Sequence, residues 1–258
     1  MTITKKQLLS TGMFFLCVLS YHANAQLYVG LEAGGNQNYL ITNVSNLIST
    51  EYVPKDGFNI DVPIRYKLND WFAISATPGF IQKNYQFKRT DYYSGVYEDR
   101  RNGYWQLPVS AQFSFGGKKL KGFLDLGGYA AYWGSSRRKG VMPNPLNVPG
   151  YNTPNTQTAG YTIFDFTTPY SYNEKYQFNS TSDNRFEAGI FAGLGINYSL
   201  NKKCKLFAEY KYYDALTDQQ KNYEQELVPR YNETGSITVG FLYKLNPPKK
   251  KTKKSSSK

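Results

Sequence analysis

Residues Phe186 to Leu200 read FEAGIFAGLGINYSL. Phe186, Ala188, Ile190, Ala192, Leu194, Ile196, Tyr198 and Leu200 fall on one side of this stretch. Glu187, Gly189, Phe191, Gly193, Gly195, Asn197 and Ser199 fall on the other. A period of two is the strand period, so one face is apolar and the other is small or polar. The stretch is long for a strand of a soluble sheet but suits one tilted across a bilayer.

The same pattern recurs. Leu27–Gly34 sets Leu27, Val29, Leu31 and Ala33 against Tyr28, Gly30, Glu32 and Gly34. Phe58–Leu68 sets Phe58, Ile60, Val62, Ile64, Tyr66 and Leu68 against Asn59, Asp61, Pro63, Arg65 and Lys67. Further segments run from Trp71 to about Arg89, up to Phe115, and from Leu120 to about Arg138. The remaining two are Cys204–Tyr213 and a last strand from Ile237 to Leu245. Pro63 and Pro78 each remove a ladder donor and mark local breaks in pairing. Tight turns are expected at Asn69-Asp70, Gly116-Gly117-Lys118-Lys119 and Asn201-Lys202-Lys203.

Those turns follow the second, fourth and sixth strands, and longer polar connections follow the others. This rhythm belongs to an outer-membrane barrel with short periplasmic turns and long external loops. The fold class expected is therefore all-β: an antiparallel transmembrane β-barrel of eight strands. Ten strands result if the alternating runs within Tyr161–Phe178 also span. Asp165 and Glu174 break the lipid-facing pattern there, which favours a hairpin above the membrane.

The ends of the chain have their own character. Lys5 and Lys6, the apolar run Gly12–Leu19 and Ala23-Asn24-Ala25 make a secretory signal peptide over residues 1–25, with Gln26 first in the mature chain. The barrel domain is then residues 26–245. Beyond Leu245 the chain reads NPPKKKTKKSSSK, a cation with nothing apolar to bury, so residues 246–258 are expected to be disordered in the periplasm. The formal charge is +12; two cations lie in the leader and six beyond Leu245, which leaves +4 on the barrel. A body this weakly basic, in an exported chain, carries no nucleic-acid footprint. Lys249, Lys250, Lys251, Lys253 and Lys254 could instead hold an anionic cell-wall polymer, acidic lipid or an envelope protein partner through salt-dependent contacts.

The inward-facing set carries charge: Glu32, Asp61, Arg65, Lys67, Lys121, Asp125, Glu187, Glu209 and Lys211. An eight-stranded barrel is filled by side chains or holds one small ligand. An isolated buried charge costs several kcal/mol or more, so these groups must pair or be heavily hydrogen-bonded. They are expected to form a lumen charge network that plugs the barrel; a narrow gated conduit or a small-ligand pocket is the alternative. Catalysis finds little support. The only histidine, His22, is in the leader, and one cysteine, Cys204, lies beyond it. A Ser–His pair, histidine metal ligands, a thiolate cluster and an internal disulfide are thereby excluded from the mature chain. The carboxylates show no catalytic spacing. No cofactor is expected.

The opening LYVGLEAGGN, the turn rhythm and the closing GSITVGFLYKL resemble the PorT-like outer-membrane β-barrel family, within the small OmpA/OmpX-like barrels more broadly. The resemblance covers Gln26 to Leu245. It implies an eight-stranded barrel in a Gram-negative outer membrane, in contact with its lipid. Through the family's link to a secretion apparatus it implies a non-enzymatic structural or interaction role, with a narrow porin-like channel as the alternative. The family has no catalytic signature, so no site residue is carried over. The loop around Tyr151–Tyr172, long and aromatic, is the expected external contact surface.

Overall fold

The computed structural model describes residues 26–43, 49–91, 94–143, 169–221 and 228–245. Residues 1–25, residues 246–258 with Lys249, Lys250, Lys251, Lys253 and Lys254, and most of the 151–172 loop lie outside these residues. Twelve strands are formed: β1 (Gln26–Ile41), β2 (Thr50–Asp61), β3 (Ile64–Lys67), β4 (Phe72–Ala76), β5 (Gly79–Gln82), β6 (Tyr85–Arg89), β7 (Tyr97–Gly116), β8 (Leu120–Pro143), β9 (Pro169–Lys175), β10 (Phe186–Ser199), β11 (Cys204–Ala215) and β12 (Tyr231–Leu245). β2 and β3 are one broken stave, and β4, β5 and β6 are another. Eight antiparallel staves result. They close into a ring because β1 pairs with β12 on one side and with β2 and β3 on the other.

The two prolines explain the broken staves. Pro63 separates β2 from β3, and Pro78 separates β4 from β5. The gaps are stitched by backbone bonds in which Val62 N donates to Pro78 O and Gly30 N donates to Pro63 O. A third break, at Lys83 and Asn84, buries Lys83, Asn84 and Tyr85 in succession and so interrupts the alternation.

The short turns sit at one end of the ring with both chain ends of the barrel. In two of them an asparagine shapes the backbone: Asn69 Oδ1 accepts from Trp71 N and Phe72 N, and Asn201 Oδ1 accepts from Lys203 N and Cys204 N. The turn between β7 and β8 uses Gly116 at φ +105°, a conformation that suits glycine. By the usual asymmetry of outer-membrane barrels this end faces the periplasm.

Several staves are longer than their alternation suggests. β1 continues to Ile41, β2 starts at Thr50, β12 starts at Tyr231 and β8 reaches Pro143. Much of the polar connection expected after the first strand, Gly35–Ile41 and Thr50–Lys55, is therefore strand. There the inward face is lined by buried asparagine and threonine and the outward face is polar as well, so strand no longer shows as apolar–polar alternation. Within Tyr161–Phe178, β9 pairs with the upper end of β8 from Arg137 to Pro143. It extends the wall outward above β10 and does not join the ring, so the barrel has eight staves.

The outward faces carry a belt of exposed apolar side chains. Leu31, Leu107, Val109, Leu126, Ile190, Leu194, Ile196 and Val239 occupy its middle. Trp71, Phe115, Tyr198 and Tyr243 lie toward the short turns, and Trp105, Tyr132 and Phe186 lie toward the long loops. An aliphatic band between two aromatic girdles is the lipid-facing surface of an outer-membrane barrel. No helix among the described residues is long and apolar enough to cross a membrane, which says nothing against crossing by strands.

Candidate functional site

The inward side chains form layers. Nearest the periplasm, Tyr28, Phe123, Phe207 and Leu242 make a buried apolar cluster. Two of its rings lie over glycines directly opposite in register: Phe123 over Gly195 and Phe207 over Gly240. A Cβ on Gly240 would come within 2.6 Å of the Phe207 ring, so only glycine leaves room for the ring to lie flat. The Arg65 guanidinium fits between the rings, 4.8 Å from the centroid of Phe123 and 4.5 Å from that of Phe207. Rings on both faces and a carboxylate at its edge suit a planar, weakly hydrated cation.

Above this cluster lies a connected set of ions. Arg65 Nη2 is 3.6 Å from Glu209 Oε2, and Arg65 Nη1 donates to Asn197 Oδ1 at 3.1 Å. Lys211 Nζ donates to Glu32 Oε1 at 2.6 Å and lies 3.5 Å from Glu209 Oε2. Asp125 accepts from Ser110 Oγ at 3.1 Å and Gln112 Nε2 at 3.0 Å. Asp61 accepts from Asn59, whose own oxygen accepts from Ser236 at 3.0 Å. Carboxylates that lack a cation therefore rest on neutral donors, the other way a buried charge is made tolerable.

A second ionic centre sits higher. Lys83 bonds Glu187, and Tyr129 OH donates to Glu187 Oε1 at 2.9 Å. Asn232 Nδ2 donates to Glu187 Oε2 at 2.7 Å, and Asn38 and Thr234 extend the chain of bonds. Lys83 also faces the Tyr129 ring at 4.7 Å and the Tyr104 ring at 5.4 Å. Tyr104, Tyr129, Trp133, Phe191 and Tyr213 pack around it as a second buried cluster. Trp133 stacks between Tyr104 and Tyr176, with centroids 5.9 and 6.0 Å away. This stack lies on the external side of the second ionic centre.

Of the nine residues expected inside, Glu32, Asp61, Arg65, Asp125, Glu187, Glu209 and Lys211 are buried in these layers. Lys67 and Lys121 lie at the periplasmic mouth instead. There Lys67 Nζ bonds Asp70 Oδ1 at 2.6 Å, and Lys121 Nζ donates to the backbone oxygen of Asp70 at 3.1 Å. The bond from Lys67 holds the exposed Asp70 carboxyl below its ordinary value. The mouth is a cavity of about 770 Å³ that also exposes Lys118, Lys119, Lys202 and Lys205. Lys83, fully buried and paired with Glu187, is the lumen cation the sequence reading missed. Continuing the inward series Ala73, Ser75, Thr77 and Ile81 by one step reaches it.

On the external side, β7, β8 and β9 form a raised wall with its own ionic cluster. Glu98 accepts from Arg100 and from Tyr172 OH at 2.7 Å, and lies 3.8 Å from Arg138, which also bonds Glu174. Burial opposes the ionisation of Glu98, but Arg100, Tyr172 and Arg138 outweigh it and hold the carboxyl below its ordinary value. Burial and donation to Glu98 push the Tyr172 phenol up. A small cavity of about 160 Å³ lies beside this cluster, lined by Arg100, Trp133, Tyr176, Asp183 and Arg230. A trough of about 560 Å³ between Leu31, Ile196, Leu206 and Phe241 lies on the lipid-facing side.

A closed eight-stave ring with a filled lumen and a lipid-facing belt defines an outer-membrane β-barrel. The chain belongs to the outer membrane protein beta-barrel domain family, whose model matches residues 22–220. It is an outer-membrane protein, and its belt contacts lipid. Among solved structures it is similar to the Neisserial surface protein A, at 14% identity and TM-score 0.44 over 86% of this chain and 99% of that one. It is also similar to OprG from Pseudomonas aeruginosa, at 12% identity and TM-score 0.46 over 88% and 98%. Ail, the attachment invasion locus protein of Yersinia pestis, crystallised with a heparin analogue, matches at 13% identity and TM-score 0.36 over 85% and 99%. No curated protein sequence matches the chain.

Proposed function

We propose that this barrel is a closed, non-enzymatic outer-membrane protein that acts through its two rims, in a structural or interaction role tied to an envelope or secretion complex. One observation carries the reading: the lumen is filled. The Arg65 sandwich and the Tyr104–Trp133–Tyr176 stack lie at opposite ends of an ionic layer in which the charged groups are paired or hydrogen-bonded. The mouth cavity and the external cavity lie at opposite ends of that filling. Moving a solute through would require separating buried ion pairs, at a cost of several kcal/mol each. The resemblance to PorT-like barrels supports the link to a complex, and the lysine tail is the segment suited to an anionic partner in the periplasm.

Single-channel recording in planar bilayers tests the reading. Silence is expected from the parent protein, and steady ohmic steps would overturn it in favour of a narrow channel. Pull-down with and without residues 246–258 tests the tail, and equal recovery of partner would remove it from the account.

A further inference from the structure

Across β7, β8 and β9, Arg101, Arg137 and Lys175 stand directly opposite one another in register. All three are exposed on the outward face of the wall. Like charges directly opposite on neighbouring strands destabilise a sheet. Lumen cations each have a carboxylate, yet none of these three has one among the described residues. The nearest outward acid, Asp99, is one rung further out and already bonded to Lys55 at 3.3 Å and to Gln86 at 2.9 Å.

The height of the row gives its counter-ion. Trp105 and Tyr132, directly paired, belong to the external girdle. Gly103 and Ser135 form the next outward rung, and Arg101 with Arg137 the one after it. Two rungs along tilted strands rise on the order of 10 Å, which places the row in the headgroup layer of the outer leaflet. Arg185 extends the patch toward the membrane: it lies over the Tyr132 ring at 4.6 Å and is held by the carbonyls of Trp133 and Gly134. Guanidinium groups match phosphate oxygens with paired donors.

We infer that Arg101, Arg137 and Lys175, with Arg185 at the lower edge, form a binding site for the phosphate groups of outer-leaflet lipid. The bound phosphates supply the charge that the wall lacks and fix the raised wall to the membrane surface.

The test uses the full chain in phosphatidylcholine vesicles doped with lipid A or with its dephosphorylated form, followed by detergent extraction and mass spectrometry of retained lipid. The parent is expected to retain lipid A but not the dephosphorylated form. The R101Q/R137Q/K175Q variant is expected to retain on the order of tenfold less. The K118Q/K119Q variant, changed at the periplasmic turn, is expected to retain as much as the parent. Equal retention by the R101Q/R137Q/K175Q variant and the parent would overturn the site, as would equal retention of dephosphorylated lipid. If inorganic phosphate in undoped vesicles raises the urea midpoint as much as lipid A does, free phosphate is the ligand and the lipid assignment falls. Heat-modifiable gel migration reports folding, and R137Q alone repeats the comparison if the triple variant does not fold.

Discussion

The same residue types are treated in opposite ways on the two sides of this wall. Inside the barrel, Lys83, Lys211 and Arg65 each meet a carboxylate, and carboxylates in excess meet amides, hydroxyls or phenols. Outside and above the girdle, Arg101, Arg137 and Lys175 face one another with no acid between them. The lumen is far from water, so an unmatched charge there costs more than the fold can bear. The outward row is wet, so the same mismatch costs tenths of a kcal/mol and can be kept for a ligand.

The deepest pair should break the barrel most. Lys83→Met leaves Glu187 buried with only Tyr129 and Asn232 as donors. A loss of about 3–5 kcal/mol in urea-unfolding stability is expected. The double variant K83M/E187L should recover most of it, because the charge to be compensated has gone. If K83M alone is neutral, the lumen is wetter than the comparison requires. Gly240→Val comes next. It pushes the Phe207 ring off its seat and into the Arg65 slot, for an expected loss of about 2–3 kcal/mol. The same substitution at Gly235 on β12, where the nearest Tyr210 atom is 3.0 Å away and is the free end of the side chain, should cost less.

How much of this was legible in the sequence depends on which solvent each residue faces. Lipid demands strict separation of faces, so Phe186–Leu200 announces its strand, its two sides and its buried Glu187. Above the girdle the demand lapses. Asn36, Asn38, Asn232 and Thr234 point into the lumen, but Gln37 and Glu233 on the other face are polar as well. No alternation survives there, and β1 and β12 read shorter in the sequence than they are in the structure. Pairing was illegible for a different reason. Lys211 and Glu32 are 179 positions apart, and only ring closure at β1–β12 brings them together. Lys83 was missed because Lys83, Asn84 and Tyr85 are buried in succession, so the alternation that would mark its face ends there. The row of Arg101, Arg137 and Lys175 depends on register across three strands, including a bulge at Gly103/Tyr104 that resets which face each residue takes.

Glu98 stands between the two regimes, half-buried in the wall. Its folded carboxyl titrates below the ordinary 4.5, so its contribution is present above that value and is lost as pH falls through the folded one. Glu98→Gln should lower the protection of β9 by about 1–2 kcal/mol at neutral pH, read by hydrogen exchange. In urea melts, the gap between parent and E98Q should close as the medium is acidified past that folded value. A gap that persists in strong acid would mean that Glu98 acts by packing, without its charge.

The smallest effect has the most telling sign. In vesicles of neutral lipid nothing compensates Arg101 and Arg137, so R101Q/R137Q removes repulsion and only repulsion. The variant should be more stable than the parent by about 0.5 kcal/mol, and the gain should shrink with added salt as screening weakens the repulsion. The matching change inside, Lys211→Gln, removes the cation that pairs with Glu32 and Glu209 and must destabilise in any lipid. Opposite signs for one chemical change, on opposite faces of one sheet, are what a dry lumen and a wet outer wall require. If R101Q/R137Q instead destabilises the barrel in neutral lipid, the two arginines hold the wall together by contacts of their own, and the outward row is a structural element with no need of a ligand.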